Sequence, residues 1–229
     1  MGPALLAVST LAAPPAFSGV ADAIALLVVL AEFAMLRSAL ARTQVRLYAF
    51  QSLCVVGLAV LLAALRHVPE AYAVAGISFL IKVVVIPAVV LRLLAGVETE
   101  VAGSERLKVA SMTLIALAVA AFGLFILEAV PVTSTLPVAA LGLAMAAVLV
   151  AFLLVILRAD VVSQAIGFFA LENGVSVASL VLASRLPLLA EVTFFFDLLV
   201  AVVFFGVLVR VHHGRTGTLS TEVLDRLRG

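Results

Sequence analysis

Three ionisable residues stand in the middle of long apolar runs in this chain, and proton relay is the chemistry their types allow. Lys82 lies between "ISFLI" and "VVVIPAVV", Glu172 follows "GFFAL", and Asp197 follows "TFFF". A charged side chain at the centre of a bilayer costs about 2.5–3.5 kcal/mol on insertion scales, so such residues face protein or water and are functional candidates by default. A buried carboxyl can load and release a proton, and a buried lysine can pass one on or balance a carboxylate on a neighbouring helix. Glu191 precedes Asp197 by six residues, about 9 Å along a helix axis and on another face, close enough to bracket one water path. Glu32, near the end of an apolar run, and Gln51 add weaker candidates. Gln51 and Gln164 can each extend a hydrogen-bonded chain or bond across a helix interface. The structural alternative for the whole set is buried charge that only specifies helix packing.

The segments that must position these residues are apolar and long. Hydrophobic residues make up 66% of the 229, charged residues 12%, and the mean hydropathy is +1.35. A soluble globule holds about 25% charged residues, so this composition defines an integral membrane protein. About 20 apolar residues cross a bilayer core. Seven segments qualify, at 18–38, 46–66, 71–95, 108–130, 135–158, 160–184 and 186–211. The fold expected is all-α, with seven transmembrane helices, short connections and antiparallel neighbours. Pro87, five residues after Lys82, removes a backbone donor and should loosen the third helix there. Gly142 and Ala144 to Ala147 read as a close-packing surface, and Tyr48, Tyr72 and the phenylalanines before Asp197 as packing and interface anchors.

A displacement of 121 residues lays Arg158…Glu172 over Arg37…Gln51, and "FALENGV" over "YAFQSLC". Further on, "AEVTFFFD" covers "AGISFLIK", which sets Asp197 on Lys82. Helices 1–3 thus read as a first three-helix unit and helices 5–7 as its copy, with helix 4 as the return crossing that parallel repeats require. The parts are a lead-in at 1–17, a first repeat at 18–95, a charged loop and linking helix at 96–130, a second repeat at 131–211, and a tail at 212–229. The lead-in lacks the basic residues that open a secretory signal and reads as retained. Helix 4 holds no charge in its middle, Glu128 being at its outer end, and reads as structural.

Arginine and lysine collect on one side of the membrane. Arg37, Arg42, Arg46, Arg92, Arg106, Lys108, Arg158, Arg210, Arg215, Arg226 and Arg228 fall there, against Arg66 and Arg185 on the other. The positive-inside rule then puts the C-terminus in the cytoplasm and the N-terminus outside. The net charge of +1 is spread between apolar runs and gives no nucleic-acid patch. Cys54 is the single cysteine, so an intramolecular disulfide, a cysteine metal site and an iron–sulfur cluster are excluded. His67, His212 and His213 are all near helix ends, which argues against a haem or di-metal site within the membrane. No catalytic, cofactor-binding or metal-binding residue is expected.

The second half resembles the K subunit of bacterial complex I, a three-helix protein of the proton-pumping membrane arm. The likeness lies in the Arg158-led helix start, the central Leu171-Glu172 pair, Asp197 thirteen residues before Arg210, and the closing "LSTEVLDRLRG". A K-like unit behind a second copy resembles hydrogenase-4 component E, over residues 18–229 and most closely over 150–229. That family belongs to the membrane arm of formate hydrogenlyase and related group 4 nickel–iron hydrogenases. The resemblance implies a non-catalytic subunit in a bacterial cytoplasmic (inner) membrane, with Glu172 and Asp197 in the positions of intramembrane glutamates. It implies as partners antiporter-like membrane subunits, the membrane subunit anchoring the catalytic arm, and hydrogenase catalytic subunits that carry the NiFe and Fe–S centres. A subunit of a multi-component cation/proton antiporter and a purely structural membrane spacer are the alternatives.

Overall fold

The computed structural model describes residues 15–66, 69–94, 109–129 and 137–182, together with Gly206. Over these residues the protein is helical, with no strand. We number the helices α1 (Pro15–Arg37), α2 (Ala41–Arg66), α3 (Pro69–Ser78), α4 (Ile86–Leu94), α5 (Val109–Ala129), α6 (Val138–Leu157) and α7 (Val161–Leu182). A π-helical stretch, Phe79–Val85, joins α3 to α4 without a break, so the three form one crossing. Among the described residues six helices are long and apolar enough to cross a membrane, and the chain is a multi-pass membrane protein. Helices suit that setting because each backbone N–H and C=O finds its partner within the segment, away from water. The seventh expected segment, 186–211, lies outside the described residues, as do the lead-in, the 96–108 loop and the tail.

Four helices make the centre. α1 packs on α2 and α6, α7 packs on α6 and α2, and α1 also touches α7. The α3–α4 crossing lies along α2, and α5 lies along α6 at the periphery. α5 is the least buried of the described crossings, with Leu114, Leu117, Phe122 and Phe125 all more than half exposed. Apolar side chains pointing outward are what a lipid or membrane-partner boundary requires.

Small residues bring the backbones together, as the alanine and glycine content of α6 anticipates. Ala144, Ala146 and Ala147 are fully buried, whereas Met145 between them turns outward. A Cβ at Gly123 of α5 would lie 2.8 Å from the Ala146 backbone, and one at Gly174 of α7 would lie 3.1 Å from the Val148 nitrogen. A side chain at Gly123 must push two helices apart, and one at Gly174 requires Val148 to give by a few tenths of an ångström.

Two interruptions share one construction. α1 ends at Arg37 and α2 starts at Ala41; α6 ends at Leu157 and α7 starts at Val161. In each, a glutamine one turn into the next helix folds back on the break. Gln44 Nε2 donates to Ser38 O at 2.9 Å, and Gln164 Nε2 donates to Arg158 O at 2.9 Å. These breaks match at a displacement of 120 residues, one less than the best sequence register. Two expectations change with it. Gln164 caps a break and does not extend the intramembrane chain. Arg37 and Arg158 are not equivalent either: Arg37 is exposed, while Arg158 is fully buried. Arg42 and Arg46 also fall within α2, which starts five residues before the expected boundary.

Candidate functional site

Lys82 and Glu172 form a buried ion pair. Lys82 comes from the π-helical stretch, where the Ile86 N–H reaches Ile81 O, one residue farther than α-helical spacing. Pro87 explains the widening. Its ring would strike the carbonyl four residues back in a regular helix, and it has no N–H to donate. The π geometry sits where that clash would fall, and π segments recur at functional sites. The sequence signal, a proline shortly after an intramembrane lysine, therefore marks a real distortion. Lys82 is 2% exposed and Glu172 3%.

Glu172 stands eleven residues into α7, about 16 Å from its start and near the middle of that crossing. Its Oε1 accepts from Lys82 Nζ and from Ser176 Oγ at 2.6 Å, and Lys82 Nζ also approaches Ser176 Oγ at 3.4 Å. Ser176 is one turn beyond Glu172, on the same face. A lysine, a carboxylate and a hydroxyl thus meet in one largely buried pocket. Their oxygens and nitrogen are within proton-transfer reach of one another.

A second group begins at the next residue. Asn173 Nδ2 donates to Ser52 Oγ at 2.9 Å and to Gln51 Oε1 at 3.2 Å. Gln51 Nε2 in turn donates to Glu32 Oε1 at 2.9 Å and approaches Val28 O at 3.4 Å. Glu32, Gln51, Ser52 and Asn173 are all fully buried. α1, α2 and α7 are thereby tied together by polar side chains at one depth, with Glu32 at one end and the Lys82–Glu172 pair adjoining the other. Four sequence candidates, Lys82, Glu172, Gln51 and Glu32, come together here. Glu191 and Asp197 lie outside the described residues.

Tyr48 flanks the cluster. Its ring packs on Phe169, with centroids 5.6 Å apart, and is buried as the packing reading expects. Tyr72, by contrast, is exposed.

A further polar layer lies at the two breaks. Arg158 Nη2 donates to Leu36 O at 2.6 Å and Ser38 O at 2.8 Å, and approaches Met35 O at 3.4 Å. These are the carbonyls left without intrahelical partners at the end of α1, and a cation is favoured there by the helix dipole. Asp160 caps α7, its Oδ1 accepting from Ser163 N–H at 2.7 Å. Burial raises the Asp160 carboxyl above its ordinary range, opposed by the Ser163 bonds and by the Arg158 charge.

Sequence reasoning missed Ser52, Ser176 and Asp160, and it took Arg158 as a marker of membrane orientation. Ser176 had a usable signal, standing four residues after Glu172 at helical spacing, whereas Ser52, adjacent to Gln51, lacked one. The burial of Arg158 had none. It depends on two breaks, far apart in sequence, meeting at one end of the bundle.

The chain is similar to the uncharacterized protein Rv0085 of Mycobacterium tuberculosis, 37% identical over 86 residues. That match covers 37% of either chain, so this chain spans a little over a third of that relative's length. No protein-family model matches the chain, and no solved structure matches it.

Proposed function

We propose that this chain is a non-catalytic membrane-arm subunit of a complex I-related nickel–iron hydrogenase of the formate hydrogenlyase type, and that it contributes intramembrane charges to the path along which protons cross. The observation that carries the reading is the buried Lys82–Glu172 pair, drawn from crossings 90 residues apart and joined through Asn173 to Gln51 and Glu32. Lysine–glutamate pairs at mid-membrane are expensive to build. A chain that keeps one, in a locally unwound helix, has a use for titratable groups there. The resemblance of residues 150–229 to a K subunit supplies the context. In this reading the full chain has seven crossings as two parallel three-helix units, the like-built breaks at 38–40 and 158–160 being traces of the duplication. Asp197 and Glu191 continue the path in the last crossing. The C-terminus faces the cytoplasm, and the host membrane is a bacterial inner membrane.

Its partners are antiporter-like membrane subunits, the subunit that anchors the catalytic arm, and the hydrogenase subunits that carry nickel, iron and clusters. A second reading is favoured by the completeness of burial. A sealed ion pair can also serve only to fix which helices meet. Mild-detergent purification of the chain, with mass spectrometry of what accompanies it, tests the assignment. A nickel–iron large subunit with antiporter-like proteins is expected. Antiporter subunits alone would make the chain part of an ion exchanger, and purification without partners would refute both assignments.

A further inference from the structure

The mid-membrane cluster and the layer at the breaks are joined along one helix face. On α2, Gln44, Tyr48, Gln51 and Ser52 follow at positions i, i+4, i+7 and i+8, the spacing of a single stripe, and all four are buried. Gln44 is at the breaks, sharing the Ser38 carbonyl with Arg158. Ser52 is in the mid-membrane cluster, about 12 Å farther along the axis. Tyr48 is halfway. Facing it on α7, Phe169, Glu172, Asn173 and Ser176 form a matching stripe at i, i+3, i+4 and i+7.

The same seam holds buried acceptors with no donor from the described residues. They are Gln44 Oε1, Asp160 Oδ2, Asn173 Oδ1 and Glu172 Oε2, with Glu32 Oε2 beside them on α1. Buried polar atoms are almost always hydrogen-bonded, to protein or to ordered water. Atoms of this kind, repeated from the breaks to mid-membrane, call for water along the seam. The Tyr48 hydroxyl is buried with no hydrogen-bond partner among the described residues, and it belongs to the same α2 stripe as Gln51 and Ser52.

We propose that this α2–α7 seam is the stretch of the proton path that connects the membrane face at the two breaks to Glu172, with Asp160 as its outer proton-holding group and the Tyr48 hydroxyl as its middle link. The proposal rests on the proton-path reading and extends it to residues that reading does not use. A proton taken up by Asp160 passes by way of water to Tyr48 and on to the Ser52–Glu172 level. Each hydroxyl or water accepts one proton and releases another, so no intermediate keeps a net charge and nothing is oxidised. Because burial lets Asp160 hold a proton at higher pH than an exposed aspartate, its position at the face suits uptake.

The test uses the intact complex in inside-out membrane vesicles and reads protons translocated per hydrogen turned over. Tyr48→Phe keeps the ring stacked on Phe169 and removes only the hydroxyl; Asp160→Asn keeps the α7 cap. Each should lower the translocation rate about tenfold, the size expected for losing one hydrogen-bonded link. The exposed control Tyr72→Phe should match wild type. A structure of the complex that resolves waters should show them bonded to Asp160, Tyr48 and Asn173. Normal translocation by both variants, with Glu172→Gln impaired, would overturn the seam and leave the relay standing. Normal translocation by Glu172→Gln as well would overturn the proposed function, and the seam with it. A dry seam would also overturn the proposal.

Discussion

Lys82→Met and Glu172→Gln, singly and together, separate a buried pair from two independent polar residues. The side chains of Lys82 and Glu172 are 2% and 4% exposed, so solvent screens neither. Removing one partner leaves the other as an uncompensated buried charge, which costs about 3–5 kcal/mol, whereas replacing both by neutral groups of similar shape is nearly neutral. For a chain of this size 1 kcal/mol moves the midpoint by about 2–4 °C, so each single variant should melt roughly 6–20 °C lower. The double variant should return to within about 1 kcal/mol of wild type. The chain has no tryptophan and one cysteine, so unfolding is best followed by a thiol-reactive fluorophore at the half-buried Cys54. Melting shifts of the two single variants that simply add in the double would refute the pair. Recovery of stability in the double variant without recovery of translocation would show that the charges serve transport rather than packing.

Other consequences are as direct. Gly123→Ala should lower stability by about 1–3 kcal/mol, measured by the same melting assay, because its Cβ would meet the Ala146 backbone at 2.8 Å. Arg158→Gln should cost about 3 kcal/mol or more by leaving the α1 carbonyls without their charged donor, while Arg37→Gln at the exposed end of α1 should change stability by less than about 0.5 kcal/mol. Asp160 binds its proton more tightly folded than unfolded, so its contribution to stability is greatest below the ordinary value of 3.8 and is lost as pH rises through the raised folded value. Asp160→Asn should therefore flatten the fall in melting temperature with pH across that acidic window.

Much of this architecture was legible in the residues because a membrane narrows the choices. Apolar runs of crossing length had to be helices, and Lys82, Glu172, Gln51 and Glu32 stood out as polar groups inside them. That they meet follows from the same cost, since a buried charge without a partner is not tolerated. Their pairing was less legible. The sequence register sets Gln51 on Glu172 and Arg37 on Arg158, yet the like-built breaks are displaced by 120 residues, and the bonds run from Lys82 to Glu172 and from Gln51 to Glu32 and Asn173. Periodicity locates a residue on its helix, but packing between crossings decides its partner. Arg158 illustrates the limit. An arginine at a segment end reads as a topology signal on charge alone, and only the meeting of two breaks turns it into a buried cap.

The measurement closest to the central claim is proton translocation by vesicles that carry the host complex with Glu172→Gln, normalised to assembled complex. The variant keeps the shape of the side chain, so the complex that assembles despite the lost stability should show translocation per hydrogen turned over reduced at least about a hundredfold, in the range proton-transfer groups contribute. Wild-type translocation by a fully assembled variant would contradict the assignment of this cluster to the proton path.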